Sequence, residues 1–280
     1  MKIHITGGRG MLGHALVERL GAAHDLVPDD VEEMDIRRFD AVRTRMAEVR
    51  PDLVLHAAAY TAVDDSEKDR EETYAVNALG TRNVAVAARG MGAPIVVVST
   101  DYVFDGRKGT PYDEFDEPTP EGVYARSKRL AERWAARHHP DHWIVRTAWT
   151  YGPGGRNFVR TIIERARKDP HLRVVDDQVG SPTYTVDLAD ALAALIDAVP
   201  FGIYHLTNSG RASWYDLAAE ALRAAGVEAE MERIDTAAAG RPAPRPAFSV
   251  LDNLCWRRAG QTPLRSWQEA VAAYVTAHLR

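Results

Sequence analysis

A tyrosine and a lysine four residues apart, Tyr124 and Lys128 in Tyr-Ala-Arg-Ser-Lys, are the residues of this chain best suited to move a proton. On a helix, positions i and i+4 share a face. A free phenol has a pKa of about 10, too high for acid–base work at neutral pH, and a nearby ammonium stabilises its phenolate and lowers that value. The spacing is common on surface helices and needs support. Support comes from Ser99-Thr100-Asp101-Tyr102-Val103-Phe104-Asp105-Gly106, which directly follows the β-branched run Ile95–Val98. Such a run suits a strand covered on both faces. Thr100 then sits at the strand's carboxyl end, where its hydroxyl can donate a hydrogen bond to a carbonyl oxygen that is becoming an alkoxide.

A second signal lies near the start. Thr6-Gly7-Gly8-Arg9-Gly10-Met11-Leu12-Gly13 places glycines at 7, 10 and 13, between a strand-like Lys2–Thr6 and a helix-like Met11–Leu20. Glycine permits a tight turn, lets backbone amides approach a pyrophosphate and lets the helix pack on the strand. The helix N-terminus adds oriented N–H groups and partial positive charge. Arg9 could meet the 2′-phosphate of a dinucleotide, whereas Asp29 or Asp30, after the second strand, could hold an unmodified ribose hydroxyl. These two readings oppose each other.

The elements that must position these residues alternate in type. Asp25–Val27, Leu53–His56, Ile95–Val98 and Trp143–Arg146 read as strands after the first. Arg38–Val49, one long helix Thr73–Arg89 and Val123–Arg137 read as helices between them. This rhythm predicts an α/β fold, a parallel sheet with helices on both faces and right-handed crossovers. Ligands of such sheets sit outside the carboxyl ends of the strands, which places the motifs together. After residue 150 the rhythm loosens. Helices are expected over Asn157–Lys168, Val186–Val199, Ser213–Ala225 and Ser266–Leu279, with Ala237–Pro246 too rich in proline for regular structure. We read residues 1–150 as a nucleotide-binding core and 151–280 as a smaller lobe interleaved with it.

Composition narrows the function. The 280 residues are 45% hydrophobic and 27% charged, with a net charge of −5, which gives no reason to expect nucleic acid or an anionic membrane as partner. No apolar run approaches the ~20 residues of a membrane span, and no signal peptide is recognisable. Cys255, the single cysteine, cannot form an internal disulfide, so a cytoplasmic setting is expected. His138-His139-Pro140-Asp141-His142 lacks a fixed ligand geometry, and no metal site is expected there.

The glycine spacing resembles that of the extended short-chain dehydrogenases, and the separation of Thr100, Tyr124 and Lys128 is the one that family shows. More specific segments resemble the dTDP-4-dehydrorhamnose reductase family: His56-Ala57-Ala58-Ala59-Tyr60-Thr61-Ala62-Val63-Asp64, Ser99–Gly106, Arg146-Thr147-Ala148-Trp149, Asn157-Phe158, Asp177–Thr183 and Arg245-Pro246 with Ser249–Asp252. They run in order from residue 3 to beyond 250. His56 departs from the family's asparagine. Tyr102 stands where a dehydratase of this fold carries a glutamate, so the second base of an elimination is missing. The resemblance implies a Rossmann-type doubly wound sheet with a smaller C-terminal substrate lobe. It implies reduction of a nucleotide-linked 4-keto-6-deoxy sugar by hydride from NADPH, NADH being the alternative cofactor.

On that resemblance Tyr124 donates the proton, Thr100 polarises the carbonyl, and Lys128 lowers the phenol's pKa and bonds the nicotinamide ribose. Gly7, Arg9, Gly10, Met11, Leu12, Gly13, Asp35, Ile36, Ala57, Ala58, Ala59, Tyr60 and Ser99 would complete the dinucleotide site. Thr100, Asp101, Tyr102, Trp149 and Arg245 would meet the sugar nucleotide, Arg245 by bidentate contact with the diphosphate. Asn77 would hold the geometry without entering the catalytic set. A second copy of the chain, as a homodimer, is the other candidate partner. Two alternatives stay open: a 4-ketoreductase for another dTDP-deoxysugar, and a non-catalytic NADP-binding regulatory subunit of the same fold.

Overall fold

Alternate residues of a strand face opposite sides of a sheet, and this sequence supplies apolar side chains for both sides. In the computed structural model, which describes residues 1–279, they form a six-stranded, all-parallel sheet. The first half of the chain gives β1 (Lys2–Thr6), α1 (Met11–Leu20), β2 (Asp25–Asp29), α2 (Phe39–Val49), β3 (Leu53–His56), α3 (Val63–Ser66), α4 (Arg70–Tyr74), α5 (Thr81–Met91), β4 (Ile95–Thr100), α6 (Gly122–His138) and β5 (His142–Thr147). The second gives β6 (Thr150–Tyr151), α7 (Phe158–Ala166), β7 (His171–Val175), β8 (Val179–Gly180), β9 (Thr183–Tyr184), α8 (Thr185–Ala198) and β10 (Gly202–His205). It ends with β11 (Ala212–Ser213), α9 (Trp214–Ala225), β12 (Glu230–Ile234), α10 (Thr236–Ala239), α11 (Leu254–Arg258) and α12 (Trp267–His278).

The strand order is β10-β5-β4-β3-β1-β2. One layer, α1 with α8, buries Leu16, Leu188 and Leu192 against Ile3, Ile5, Leu55 and Val145. The other, from α2, α5 and α6, buries Val42, Met46, Val84 and Ala135 against Val54, Ile95 and Val97. Successive strands therefore leave β1 in one direction and β3 in the other, and the crevice between their carboxyl ends is where this topology binds ligands. A further core cluster packs α7, α9 and α12 with the parallel pair β7–β12 around Val159, Ile163, Leu217, Val271 and Tyr274.

Three local features differ from the expectations. The strand β10 pairs with β5 and completes the main sheet, although four residues are too few to show a pattern in sequence. The helix expected over Thr73–Arg89 is interrupted by a π-helical segment, Ala75–Gly80, between α4 and α5. Such segments cluster at functional sites; this one carries Asn77, whose Oδ1 accepts from Tyr60 N at 2.8 Å and whose Nδ2 donates to Ser127 Oγ at 2.9 Å. Within the proline-rich segment, α10 forms because Asp235 caps it, accepting from Ala238 N at 2.7 Å, and because Gly240 ends it in the left-handed region.

Candidate active site

Glycine is required in the first turn by contact as well as by conformation. Gly7 has φ +73°, and a Cβ on it would lie 2.7 Å from Ala58 N. A Cβ on Gly13 would lie 2.2 Å from Gly7 O, so β1, α1 and the chain after β3 could not approach as they do. Gly10 begins α1 with no side-chain cap, which leaves the first amides of the helix free for an anion. Beside them opens a cleft of about 720 Å³. Its wall contains Gly7, Gly10, Met11, Leu12 and Gly13 from the turn, Ala57 to Tyr60 after β3, Asp35 and Ile36, Ser99 to Tyr102 at the end of β4 and just beyond it, Tyr124 and Lys128 from α6, and Trp149. These features fit a dinucleotide with its pyrophosphate on α1.

Arg9 and Arg245 are not in that wall. The guanidinium of Arg9 is ion-paired with Glu32 and Glu33 beyond β2. Arg245 donates to both oxygens of Asp64, each at 2.9 Å, and so fastens the proline-rich segment to α3. Asp29 is also otherwise engaged. It is 2% exposed and accepts from Arg45 at 2.8 and 3.0 Å, with His4 Nε2 at 2.7 Å. Burial opposes its ionisation, but Arg45 and His4 outweigh that and hold its pKa below the ordinary range. Asp29 and Asp30 both line the cleft, and with Asp29 held by Arg45 and His4, Asp30 is the acid more open to a ribose.

The reacting end lies at the carboxyl terminus of β4. Thr100 donates to Asp101 Oδ1 at 3.0 Å and shares the cleft wall with Tyr124, whose ring meets that of Tyr102 edge-on at 5.8 Å. The start of α6 is fixed by Glu67, whose carboxylate accepts from Val123 N at 2.8 Å, and by the Asn77–Ser127 bond. Lys128 is 4% exposed and donates to Val98 O at 2.7 Å. Burial pushes the Tyr124 pKa up to about 12, with Thr100 opposing and the Asp101 charge adding to it. The ammonium is directed at a backbone carbonyl, and burial lowers its own pKa to about 8. Tyr124 is therefore a firmly protonated phenol at neutral pH, suited to donate.

Several supporting residues escape a reading by motif. Glu132, one turn beyond Lys128, accepts from Ser99 Oγ at 2.6 Å and from Arg146 Nε and a terminal nitrogen at 2.9 and 3.0 Å, with Glu132 and Arg146 each 1% exposed. The pair ties α6, β4 and β5 together behind the site. His56 bridges Thr6 Oγ1 at 2.6 Å and Thr81 Oγ1 at 2.9 Å, and burial lowers its pKa to about 3, so it serves as a neutral strut. Trp149, with φ +47°, stacks on Trp214 at 3.7 Å, and both line the cleft. Trp214 came without signal beyond its place after a Ser N-cap. In the histidine cluster, His139 Nε2 bonds Ala93 O at 2.9 Å and His142 Nδ1 bonds His139 O at 2.7 Å.

Glycine turn, switch-point cleft and the Thr100–Tyr124–Lys128 set define an extended short-chain reductase of the doubly wound class. Comparison with known proteins narrows this further. The family model for the RmlD substrate binding domain matches residues 1–280. The dTDP-4-dehydrorhamnose reductase of Streptomyces griseus is 46% identical over 278 residues, covering 95% of this chain and 90% of that protein. A probable dTDP-4,6-dihydroxy-2-methyloxan-3-one 4-ketoreductase of Streptomyces antibioticus is 45% identical, covering 97% and 93%. The crystal structure of dTDP-4-dehydrorhamnose reductase from Bacillus anthracis, in complex with NADP, superposes with a TM-score of 0.97 at 38% identity, covering 99% of each chain. This chain belongs to the dTDP-4-dehydrorhamnose reductase family. No helix among the described residues is long and apolar enough to cross a membrane.

Proposed function

We propose that this protein reduces a nucleotide-linked 4-keto-6-deoxy sugar at C4, with dTDP-4-dehydro-L-rhamnose as substrate, dTDP-L-rhamnose as product and NADPH as reductant. The observation that carries this reading is the protonated phenol of Tyr124 beside Thr100 on the wall of a cleft that also contains the glycine turn. When bound, the reduced dinucleotide supplies the hydride. Thr100 donates to the carbonyl oxygen as charge develops there, and Tyr124 gives that oxygen its proton. Lys128, fixed by Val98 O, holds positive charge under the ribose end of the cleft. The turn at Gly7–Gly13 receives the pyrophosphate, and the Trp149–Trp214 stack bounds the sugar side.

NADPH oxidation in the presence of dTDP-4-keto sugars, with the product identified by its C4 configuration, tests this directly. Binding of dinucleotide without turnover on any keto sugar would instead favour the regulatory reading. A 4-ketoreductase for another deoxysugar is the second reading, favoured by the Streptomyces antibioticus relative. It predicts turnover on a keto sugar other than the rhamnose precursor, with the same dependence on Tyr124.

A further inference from the structure

Two tryptophans on the cleft wall, Trp149 and Trp214, are held by one short segment, Gln178-Val179-Gly180. Their rings stack with centroids 3.7 Å apart and planes 5° apart. Trp214 is fixed at its edge: its Nε1 donates to Gln178 Oε1 at 3.0 Å, and Phe158 tilts against its ring at 4.7 Å. Gln178 is 4% exposed, and its own amide donates to Thr236 Oγ1 at 2.9 Å. Gly180 lies against the other indole. A Cβ there would come within 2.5 Å of Trp149 Cε2 and 2.7 Å of Cζ2, so nothing larger than glycine fits beside that ring as it stands. The segment is itself tied down, since Val179 N donates to Ala247 O and Ser249 N to Val179 O, each at 2.8 Å.

Trp149 needs such support. Its φ of +47° lies in the left-handed region, which a bulky side chain keeps only when its surroundings hold it there. It occupies the turn between β5 and β6, and β5 ends at Thr147, the in-register neighbour of Thr100. Both indoles belong to the same wall as Thr100, close to where a sugar must lie for reduction at C4. Stacked aromatic rings hold one another in place beyond the area they bury. An indole has a single donor, and that of Trp214 is already used by Gln178, so Trp214 acts through the ring of Trp149. We propose that Gln178, Gly180 and Trp214 are positioning residues that fix the Trp149 indole against the sugar ring of the substrate. They set the affinity for the sugar and take no part in the transfer of hydride or proton. The proposal rests on the reductase reading. It also gives the Asp177–Thr183 segment a role: Gln178 holds one indole, Gly180 admits the other, and Thr183 N donates to Trp149 O at 3.3 Å.

The test compares variants of the full chain in steady-state kinetics, ligand titration and circular dichroism. Trp214→Leu should raise the KM for the keto sugar about two- to tenfold, the scale of an aromatic pair, with kcat and the NADPH KM near wild type. It should weaken dTDP-L-rhamnose by the same factor and leave dTDP, which lacks the sugar, unaffected. Gly180→Ala should give the same pattern from the other contact. Gly180 is not in the left-handed region, so alanine acts there by crowding alone. Gln178→Met removes the acceptor for Trp214 and should give a smaller loss. Combined with Trp214→Phe, which keeps a ring but no N–H, it should add nothing to that variant's effect. The exciton couplet of the stacked indoles should vanish in Trp214→Leu and shrink in Gly180→Ala, and the sugar KM should rise as it shrinks. Equal weakening of dTDP and dTDP-L-rhamnose, or a matching loss of NADPH affinity, would overturn the proposal. So would an unchanged sugar KM in a variant that has lost the couplet. If Trp214→Leu does not fold, Gly180→Ala and Gln178→Met decide the matter. If wild type reduces no keto sugar, the reductase reading itself fails, and the comparison of dTDP-L-rhamnose with dTDP still tests the hold of the indoles on a sugar.

Discussion

Replacing Arg146 by Met probes the support of the site without touching its wall. Arg146 and Glu132 are each 1% exposed and share two hydrogen bonds, at 2.9 and 3.0 Å. Methionine roughly fills the arginine's apolar volume but leaves Glu132 with only Ser99 and Arg129 as partners. Removing one member of a buried pair costs about 3–5 kcal/mol, because the remaining charge is stranded. Unfolding entropy of about 2.1 cal/mol/K per residue turns that into a Tm fall of about 5–9 °C for a chain of this length. The effect should depend on pH. In wild type, burial opposes ionisation of Glu132, but Arg146, with Ser99 and Arg129, outweighs burial and holds its pKa below the ordinary value. That group contributes stability above its unfolded pKa, lost only as pH falls through the lower folded value. In the variant, burial dominates and the folded pKa rises above the unfolded one, so the contribution is unfavourable at neutral pH and fades as pH falls. The stability gap should therefore be widest near pH 7 and narrow towards pH 4. Urea unfolding of both proteins across that range measures it. A gap below about 1 kcal/mol, the scale of an exposed pair, would refute the assignment, as would a gap that widens on acidification.

Tyr124→Phe should keep dinucleotide affinity and lose about 10²–10⁴ in kcat, the usual scale for a general acid; near-normal turnover would sink the mechanism. Lys128→Ala should weaken dinucleotide binding in a fluorescence titration as well as turnover. Because burial lowers the Lys128 pKa to about 8, wild-type affinity should decline as pH rises through that value and the variant's should not. Glu32→Gln combined with Glu33→Gln removes the exposed partners of Arg9 and should tighten NADPH modestly, with NADH little changed. Equal changes for both dinucleotides would place Arg9 at the shared pyrophosphate.

Legibility in the sequence followed distance along the chain. The glycine turn declares itself because strand, turn and helix are contiguous, and Thr100, Asp101 and Tyr102 because they follow a β-branched strand directly. The pair Tyr124 and Lys128 needed only helical spacing. What stayed hidden depends on partners far away: Glu132 with Arg146 across two elements, Trp214 with Trp149 across the lobe boundary, and β10, whose four residues gain meaning only beside β5. The π-helical turn at Asn77 is invisible to a 3.6-residue pattern, since the segment still reads as helix.

Charged residues show the sharpest limit. Arg9, Asp29, Lys128 and Arg245 each invite a role towards a ligand, and each has its own protein partner: Glu32 and Glu33, His4 and Arg45, the Val98 carbonyl, and Asp64. A long charged side chain near a cleft must satisfy its hydrogen bonds before any ligand arrives, and the sequence names the charge without naming the partner. The consequences differ with burial. Arg9 is well exposed, so its ion pairs are weak and a 2′-phosphate can compete for it. Asp29 is buried at the end of β2, and exchanging its partners for a ribose hydroxyl would strand Arg45 and His4. Arg245 lies between these cases: its bidentate bond to Asp64 holds the proline-rich segment against α3, so recruiting it to a diphosphate would loosen that segment. Ligand contacts in this cleft are therefore exchanges of partner, and the better buried the resident pair, the less a ligand gains by breaking it.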